Sequence, residues 1–417
     1  MTQVSSQQTK LAYLVSHPIQ YQAPLLRYLA RETDLDLEVF FMSDHSLRRY
    51  HDVEFGAAVE WDIPLVEGYK HRFLRGFGPE AKTDNPWPVC QSLGPILRRE
   101  GFNVLWTHGY HHQNSIRALI SAKAAGITTM VRSDIFEVTA KGQGLKRAIK
   151  DHVVRSLFRK IDLFLAVGAR NRDYYMTHGA AGAQIFTLTY AVDNDWFQSE
   201  CGKAASRRTE VRQELGFAAD QPVILYASKM TKGKRLMDLA AAYQCVCQKW
   251  AGSLAPGLLV IGDGEVRPEF ESWKEKSGLP YVKFLGFKNQ TELPKFFAAS
   301  DLFVLPGQVE AWGLIVNEVM NASLPVIVTN EVGCGPDLVK PGENGAIYRV
   351  GDIEGLAKIL LDFCSKPDEL RRMGAQSLEI ISAHGFDQNA RQLQAAIKSR
   401  GHMMSLRCGQ PSQEGLS

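Results

Sequence analysis

The sequence LFVLPGQVEAWGLIVNE, residues 302–318, decides the fold more than any other stretch of the chain. The four apolar residues at its start predict a buried β-strand, and the residues after Gly313 predict a helix. A second apolar run at residues 325–328 predicts the strand that follows. The stretch is therefore a strand–loop–helix–strand unit, which is typical of a parallel α/β sheet.

Two carboxylates mark this unit as a candidate binding site. Glu310 lies in the loop, and Glu318 lies two turns into the helix. Ligands of open α/β sheets bind at the carboxyl ends of the strands, and a helix start offers unpaired N–H groups and a positive dipole end to phosphate. Carboxylates on either side of a bound diphosphate would suit hydroxyl-rich groups. The pattern predicts a nucleotide-sugar site.

Residues 281–350 resemble the donor half of the retaining glycosyltransferases of family 4. The resemblance rests on an ordered series of segments in addition to the glutamate pair: VKFLG at 282–286, ASDLFVLP at 299–306, PVIV at 325–328 and GENG at 342–345. It implies an α/β protein of GT-B fold, with two facing Rossmann-like domains, parallel sheets and a C-terminal crossover helix.

The composition is that of a globular protein large enough for two domains. The 417 residues are 45% hydrophobic and 22% charged, with a net charge of +3 that predicts no general attraction to nucleic acid. No apolar run approaches the ~20 residues of a membrane-spanning helix, and the polar N-terminus lacks a signal-peptide core. Seven cysteines without a metal-like spacing predict reduced thiols. We expect a cytoplasmic protein.

Short apolar strands alternate with helical stretches in two series, and the second series begins at Pro222. A polar, charged stretch separates them. We predict an N-terminal, acceptor-side domain at 1–192, a linker region at 193–212 and a nucleotide-sugar-binding domain at 213–384. A crossover helix at 385–400, implied by the resemblance, and a disordered tail at 401–417 complete the prediction.

Two lysines follow the first strand of the second domain. Lys229 and Lys234 have the five-residue spacing at which family 4 has an arginine and a lysine. Ammonium groups there would clamp a diphosphate and stabilise the charge on a departing nucleotide. Because lysine lacks the bidentate fork of arginine, Lys232 and Arg235 remain alternatives, as does a solvated basic turn.

The resemblance also assigns the other donor contacts. Glu318 would bind the ribose hydroxyls, whereas Glu310 would orient the transferred sugar near its reacting carbon and stabilise the transition state. Backbone amides facing the sugar and phosphates would come from Gly313, Leu314 and Ile315. Gly262 would form a tight turn that lets the nucleotide approach, and Gly286 and Phe287 would line the base.

The acceptor side is expected in the first domain. His108 ends a predicted strand, and family 4 commonly has a histidine there that hydrogen-bonds near the reaction centre. His17, Gln20 and Tyr21 occupy the first loop, where many members have paired glycines. They would bind acceptor hydroxyls or a ring face, with ordinary loop packing an equal alternative. Arg132, at another strand end, would contact an anionic acceptor.

No cofactor or metal is expected. His111 and His112 follow His108 closely, but this spacing gives poor three-ligand geometry without a carboxylate. Two Asp-x-Asp patterns, at residues 34–36 and 193–195, are interpreted as structural. GT-B enzymes generally replace the metal with lysines, amides and a helix dipole.

Residues 141–160 contain seven lysines or arginines against one acidic residue, with apolar residues at helical spacing. Such a helix either is half-buried with a solvated face or docks peripherally on the inner face of an anionic membrane. No motif predicts nucleic-acid binding.

We expect a retaining, metal-independent transferase that moves a sugar from a nucleotide diphosphate to an acceptor hydroxyl. UDP-sugars are the favoured donors and GDP-sugars the next. The acceptor would be a saccharide or a lipid-linked group in surface polysaccharide or glycolipid assembly. The alternatives are a catalytically silent nucleotide-sugar-binding or regulatory protein, and an enzyme that converts the nucleotide sugar itself.

Overall fold

The computed structural model describes residues 8–52, 57–77, 89–136 and 145–407. The chain divides into two compact units. Unit 1 takes its described residues from Met1–Arg48, Ile63–Thr189 and Phe386–Ser417, and unit 2 comprises Arg49–Asp62 and Tyr190–Gly385. Within the described residues, no helix is long and apolar enough to span a bilayer.

The first half of the chain forms eleven strands and five helices among the described residues. In chain order they are β1 (Lys10–Val15), α1 (Ala23–Glu32), β2 (Asp36–Phe41), β3 (Tyr50–Asp52), β4 (Ala57–Val59), β5 (Lys70–Phe73), β6 (Gly76–Phe77), β7 (Val89–Cys90), α2 (Leu93–Arg99), β8 (Val104–His108), α3 (Gln113–Ala124), β9 (Thr128–Ser133), α4 (Leu145–Phe158), β10 (Leu163–Ala166), α5 (Ala169–Thr177) and β11 (Ile185–Thr187).

The second half continues this alternation of helices and strands. Its elements are α6 (Asn194–Ala205), α7 (Arg208–Leu215), β12 (Val223–Ala227), α8 (Leu236–Lys249), β13 (Gly257–Ile261), α9 (Arg267–Ser277), β14 (Val282–Phe284), α10 (Leu293–Ala299), β15 (Leu302–Leu305), α11 (Leu314–Met320), β16 (Val326–Thr329), α12 (Gly335–Leu338), β17 (Gly345–Tyr348), α13 (Ile353–Cys364), α14 (Pro367–Ser382) and α15 (Phe386–Arg407).

Each unit is built on one parallel sheet. In unit 1 the strand order is β11-β10-β9-β8-β1-β2-β5, and in unit 2 it is β14-β13-β12-β15-β16-β17. The central strands are buried along their whole length, because helices cover both faces of such sheets. This arrangement confirms the predicted fold of two Rossmann-like domains with parallel sheets.

The last helix belongs to unit 1. α15 packs against β10, β11 and α1. At its start the Phe386 ring lies 5.9 Å from the Tyr28 ring, and Asn389 Nδ2 donates to the Thr189 carbonyl oxygen at 2.9 Å. Near its end, Arg400 forms an ion pair with buried Asp162 at 2.7 Å. Residues 408–417 of the predicted tail lie outside the described residues.

The predicted linker region is helical in the structure. Residues 194–205 form α6 and residues 208–215 form α7, and both helices lie in unit 2. Asp193 caps α6, since its Oδ1 accepts from the Trp196 amide at 3.0 Å. The polar composition of this stretch therefore belongs largely to the exposed faces of two helices.

Candidate functional site

The predicted donor residues come together at one edge of the unit 2 sheet. β14, β13, β12 and β15 are neighbours and run parallel, so the loops after them emerge on the same side. The residues in these loops are Lys229 and Lys234 after β12, Gly262 after β13, Gly286 and Phe287 after β14, and Glu310 and Gly313 after β15.

Lys234 and Glu310 form the central contact of this edge. The Lys234 ammonium donates a hydrogen bond to Glu310 Oε2, and both side chains are largely buried. The two loops are also joined through the backbone, since the Gln308 amide donates to the Gly233 carbonyl oxygen at 2.8 Å. The lysine is therefore held beside the carboxylate, where an incoming phosphate would compete for its charge.

The Arg235 side chain and the Lys232 backbone have contacts other than Glu310. Arg235 Nε donates to Asp238 at 2.7 Å, and Arg235 Nη1 lies 3.4 Å from the side-chain oxygen of Gln308. The backbone amide of Lys232 donates to Glu265 at 3.0 Å. Lys234 thus differs from Lys232 and Arg235 in having a contact with Glu310 among the described residues.

Gly262 allows the loops after β12 and β13 to approach each other closely. Its φ of +139° lies in a region that side chains disfavour, and a Cβ built there would lie 1.9 Å from the Ser228 carbonyl oxygen. Its amide donates to the carbonyl oxygen of Gly286 at 2.9 Å. The glycine is thus required by backbone packing, whatever ligand lies near it.

The start of α11 is fixed against Glu310. Gly313, the residue before the helix, has φ +92°, and a Cβ there would lie 3.2 Å from Glu310 Cγ. The Gly333 amide donates to the Glu310 carbonyl oxygen at 2.9 Å. The first amides of the helix, including those of Leu314 and Ile315, have no intrahelical acceptors. This end can therefore donate hydrogen bonds next to a carboxylate and an ammonium group.

Glu318 is a buried acid on the same helix. Its exposed fraction is 8%, and burial raises the pKa of its carboxyl group to about 8. Among the residues that the structure describes, Glu318 forms no ion pair. At neutral pH the group is thus mostly a neutral carboxylic acid, which can both donate and accept hydrogen bonds with a hydroxyl partner.

His108 ends β8 in unit 1, as predicted, and it belongs to a partly buried hydrogen-bond network that the sequence did not reveal. Gln22 Nε2 lies 3.1 and 3.2 Å from the two ring nitrogens of His108. The Tyr13 hydroxyl donates to Gln22 Oε1 at 2.6 Å. Both partners are buried. In the sequence, Gln22 could have been recognised as a polar residue at the otherwise apolar start of α1.

The first loop of unit 1 places its candidate acceptor residues in partly buried positions. His17 Nδ1 lies 2.9 Å from the Ser16 hydroxyl, and its ring meets the His45 ring edge-on at 6.3 Å. Burial, followed by the nearby His45 and His112, lowers the pKa of His17 to about 4. Gln20 and Tyr21 are also partly buried.

Arg132 is a buried residue of β9. Its Nη2 donates to the Thr189 carbonyl oxygen at 2.9 Å, and its side chain is 1% exposed. Contact with an anionic acceptor remains a prediction, since burial at this level limits direct access.

The described residues contain no cluster of three or more side chains arranged to hold a metal ion. The rings of His111 and His112 lie 4.0 Å apart. In the two Asp-x-Asp patterns, Asp36 forms an ion pair with Lys70 and Asp193 caps a helix. Independence from metal remains a prediction.

The basic helix predicted at 141–160 is α4, and residues 141–144 lie outside the described ones. Ile149 and Val153, one turn apart, are 57% and 59% exposed. Lys150 and Arg155 are exposed on the same helix. Part of its apolar surface therefore does not pack into unit 1.

Comparison with known proteins relates part of the chain to a family of glycosyltransferases. Residues 207–379 match the model of glycosyl transferases group 1. The N-acetyl-alpha-D-glucosaminyl L-malate synthase of Bacillus anthracis is 29% identical over 303 residues, which cover 70% of this chain and 73% of that protein.

Two solved structures share the fold over almost the whole chain. A sucrose-phosphate synthase from Thermosynechococcus elongatus has a TM-score of 0.67 at 16% identity, covering 95% of this chain and all of the other. Anabaena HepE in complex with UDP and glucose has a TM-score of 0.66 at 16% identity, covering 94% and 100%. The two parallel sheets and these structures show the GT-B fold, and the matched family model and the relative from Bacillus anthracis support a glycosyltransferase of family 4.

Proposed function

We propose that the protein transfers a sugar from a UDP-sugar to an acceptor hydroxyl, with retention of configuration and without a metal ion. The observation that carries the proposal is the Lys234–Glu310 contact beside the start of α11. It gathers a cation, a carboxylate and backbone donors at the strand ends that bind ligands in such sheets. Glu318 adds a buried group suited to hydroxyls.

In the proposed reaction the bond between the anomeric carbon and the diphosphate oxygen breaks, and a bond to the acceptor oxygen forms on the same face. The acceptor proton passes to an oxygen of the departing diphosphate. Lys234, together with Lys229 and the amides at the start of α11, stabilises the negative charge on that leaving group. Glu310 orients the sugar and stabilises the positive charge that develops at its ring.

The donor base is proposed from similarity. HepE, which shares the fold, has been solved with UDP and glucose, and this favours uridine over guanosine. The acceptor is proposed to be a saccharide or a lipid-linked group, which would place the enzyme in surface polysaccharide or glycolipid assembly on the cytoplasmic side of a membrane.

Thermal-shift screening tests the donor. UDP, GDP, ADP and their common sugar conjugates would be compared with and without EDTA, because a bound nucleotide raises the melting temperature by mass action. A shift with UDP that EDTA does not reduce supports the proposal. A shift with GDP alone would mean that the donor base is guanine instead of uracil. A shift that EDTA abolishes refutes metal independence. No shift with any nucleotide argues against a donor site.

Transfer and its stereochemistry need a second experiment. Purified protein would be incubated with UDP-sugars and candidate acceptor glycosides or lipids, and the anomeric configuration of the product read by NMR. An inverted product refutes retention. Turnover of the donor without acceptor into an isomeric nucleotide sugar favours the alternative of an enzyme, such as an epimerase, that converts the nucleotide sugar itself. Nucleotide binding without turnover, unchanged by Glu310→Gln, favours the silent binding protein.

We also propose peripheral membrane contact through α4, because exposed Ile149 and Val153 accompany basic side chains on that helix. Co-sedimentation with phosphatidylglycerol vesicles would be compared with phosphatidylcholine vesicles. The double change Ile149→Ser and Val153→Ser should reduce binding to the anionic vesicles. Ile120→Ser, at a 53% exposed isoleucine on α3, is the matched control. Equal binding of all three proteins refutes the contact.

A further inference from the structure

Two buried side chains, Tyr13 and Gln22, lead to the partly buried histidine at the carboxyl end of β8. The Tyr13 hydroxyl donates to Gln22 Oε1 at 2.6 Å, and Gln22 Nε2 lies within 3.2 Å of the His108 ring nitrogens. Tyr13 lies on β1, Gln22 immediately precedes α1 and His108 ends β8, so three elements of unit 1 fix the arrangement.

The orientation of the Gln22 amide follows from the distance to Tyr13. A separation of 2.6 Å is usual for an O–H···O hydrogen bond and short for an N–H···O bond. The amide oxygen therefore faces the tyrosine, and the NH₂ group faces the histidine. An NH₂ group only donates, so whichever ring nitrogen accepts from it must carry a lone pair, and the distances of 3.2 Å to Nδ1 and 3.1 Å to Nε2 allow either nitrogen to be that acceptor.

We propose that Gln22, oriented by Tyr13, is a positioning residue that keeps His108 in its neutral form and fixes the orientation of its ring. An imidazolium carries hydrogen on both ring nitrogens and has no lone pair for the Gln22 amide to meet. A neutral ring accepts that bond through one nitrogen and presents the other as a donor. The kinetic consequence rests on the function proposed above, whereas the state of the ring does not.

The charges around His108 act in the same direction. Burial lowers the pKa of His108 most, to about 3, and Arg132, His111 and His17 lower it further. Arg132 lies on β9, and the two histidines lie in the loops after β8 and β1. Tyr13 on β1 meets the ring edge-on at 6.5 Å. These influences all favour the neutral ring, in which His108 serves as a hydrogen-bonding group.

Nitrogen-15 NMR of labelled histidine tests the ring directly. His108 signals would be assigned by their loss in His108→Ala, and spectra compared for wild type, Gln22→Met and Tyr13→Phe. We expect one protonated and one unprotonated nitrogen in wild type, and a changed tautomer ratio in both variants. Tyr69→Phe, which removes another buried hydroxyl of unit 1, is the matched control and should leave the His108 signals unchanged.

Two results would overturn the proposal. A wild-type ring with both nitrogens protonated at pH 7 refutes the neutral state. Identical His108 signals in wild type and in folded Gln22→Met show that the amide does not control the ring. Because neither result depends on turnover, failure of this inference is distinguishable from failure of the proposed function, which would appear as absent turnover in wild type.

Kinetics with UDP-glucose add a further readout if wild type turns this donor over. Gln22→Met should lower kcat about 10- to 100-fold, the order expected for a misplaced group, with KM little changed. Gln22→Glu places a carboxylate beside the ring, which raises the pKa of His108 and should introduce a new acid limb in the kcat profile. An increase in KM with unchanged kcat in Gln22→Met contradicts the positioning role. So does a pH profile of kcat for Gln22→Glu that has the wild-type shape.

Discussion

Glu318 offers a stability test that needs no knowledge of the substrate. The perturbation is Glu318→Gln, which replaces a buried acid with a neutral side chain of similar size. Burial raises the pKa of the native carboxyl from the ordinary 4.5 to about 8. In the unfolded chain the group ionises near its ordinary pKa, whereas in the folded protein it stays protonated until pH 8.

The sign and size of the effect follow from proton linkage. Between these two pKa values the folded state binds one more proton than the unfolded state, so the free energy of unfolding falls as pH rises. The slope is about 1.4 kcal/mol per pH unit, which amounts to roughly 3–4 kcal/mol between pH 5 and pH 8. The contribution is fully present below pH 4.5 and is lost as pH rises through 8. Glu318→Gln lacks this loss.

Urea denaturation at several pH values between 5 and 8 measures the difference between the variant and wild type. The two should be close in stability at pH 5, and the variant should become progressively more stable toward pH 8. Because all other groups are shared, their titrations cancel in the difference. Glu379→Gln, at an exposed glutamate of α14, is the control and should show no such trend. A pH-independent difference between Glu318→Gln and wild type would refute the reasoning.

Three further predictions concern the donor edge. Lys234→Met should weaken UDP binding about tenfold by removing the cation beside Glu310, as measured by calorimetry, and unchanged affinity would contradict the clamp. Glu318→Ala should mainly raise the dissociation constant for UDP, whereas Glu310→Gln should mainly lower turnover in steady-state kinetics; equal, small effects of both changes would contradict the assigned roles. Gly262→Ala should destabilise the protein by at least about 3 kcal/mol in urea titration, because the new Cβ would collide with a backbone oxygen. Gly278 also has a positive φ but lies in open space, so Gly278→Ala should cost only about 1–2 kcal/mol. Similar losses at the two glycines would contradict the steric argument.

The sequence predicted the central strands well and the edge strands poorly. β15 and β16 are largely apolar because both of their faces are buried, and the structure places them within one residue of the strands predicted at 302–305 and 325–328. β5, β11 and β17 were missed. β5 consists of Lys70-His71-Arg72-Phe73 at the end of a sheet, where its side chains are partly exposed and an apolar pattern is not required.

The candidate site was predictable where the resemblance provided residue positions, and the structure brings the donor residues to one edge of the sheet. The Tyr13–Gln22–His108 network was not predictable, because its members lie 9 and 86 residues apart along the chain and meet only through strand order. Likewise, the sequence did not decide which cation of the basic loop lies at the site, since nothing local distinguishes Lys234 from its cationic neighbours.

The position of α15 in unit 1 has a consequence for how the protein is made. A ribosome completes all of unit 2 before it synthesises this helix, so unit 1 must wait for its last element while its neighbour is already able to fold. During that interval the surface of β10, β11 and α1 that α15 covers is unprotected. An N-terminal fragment ending near Thr189 should therefore aggregate when expressed alone, and adding residues 386–407 as a separate peptide should improve its solubility.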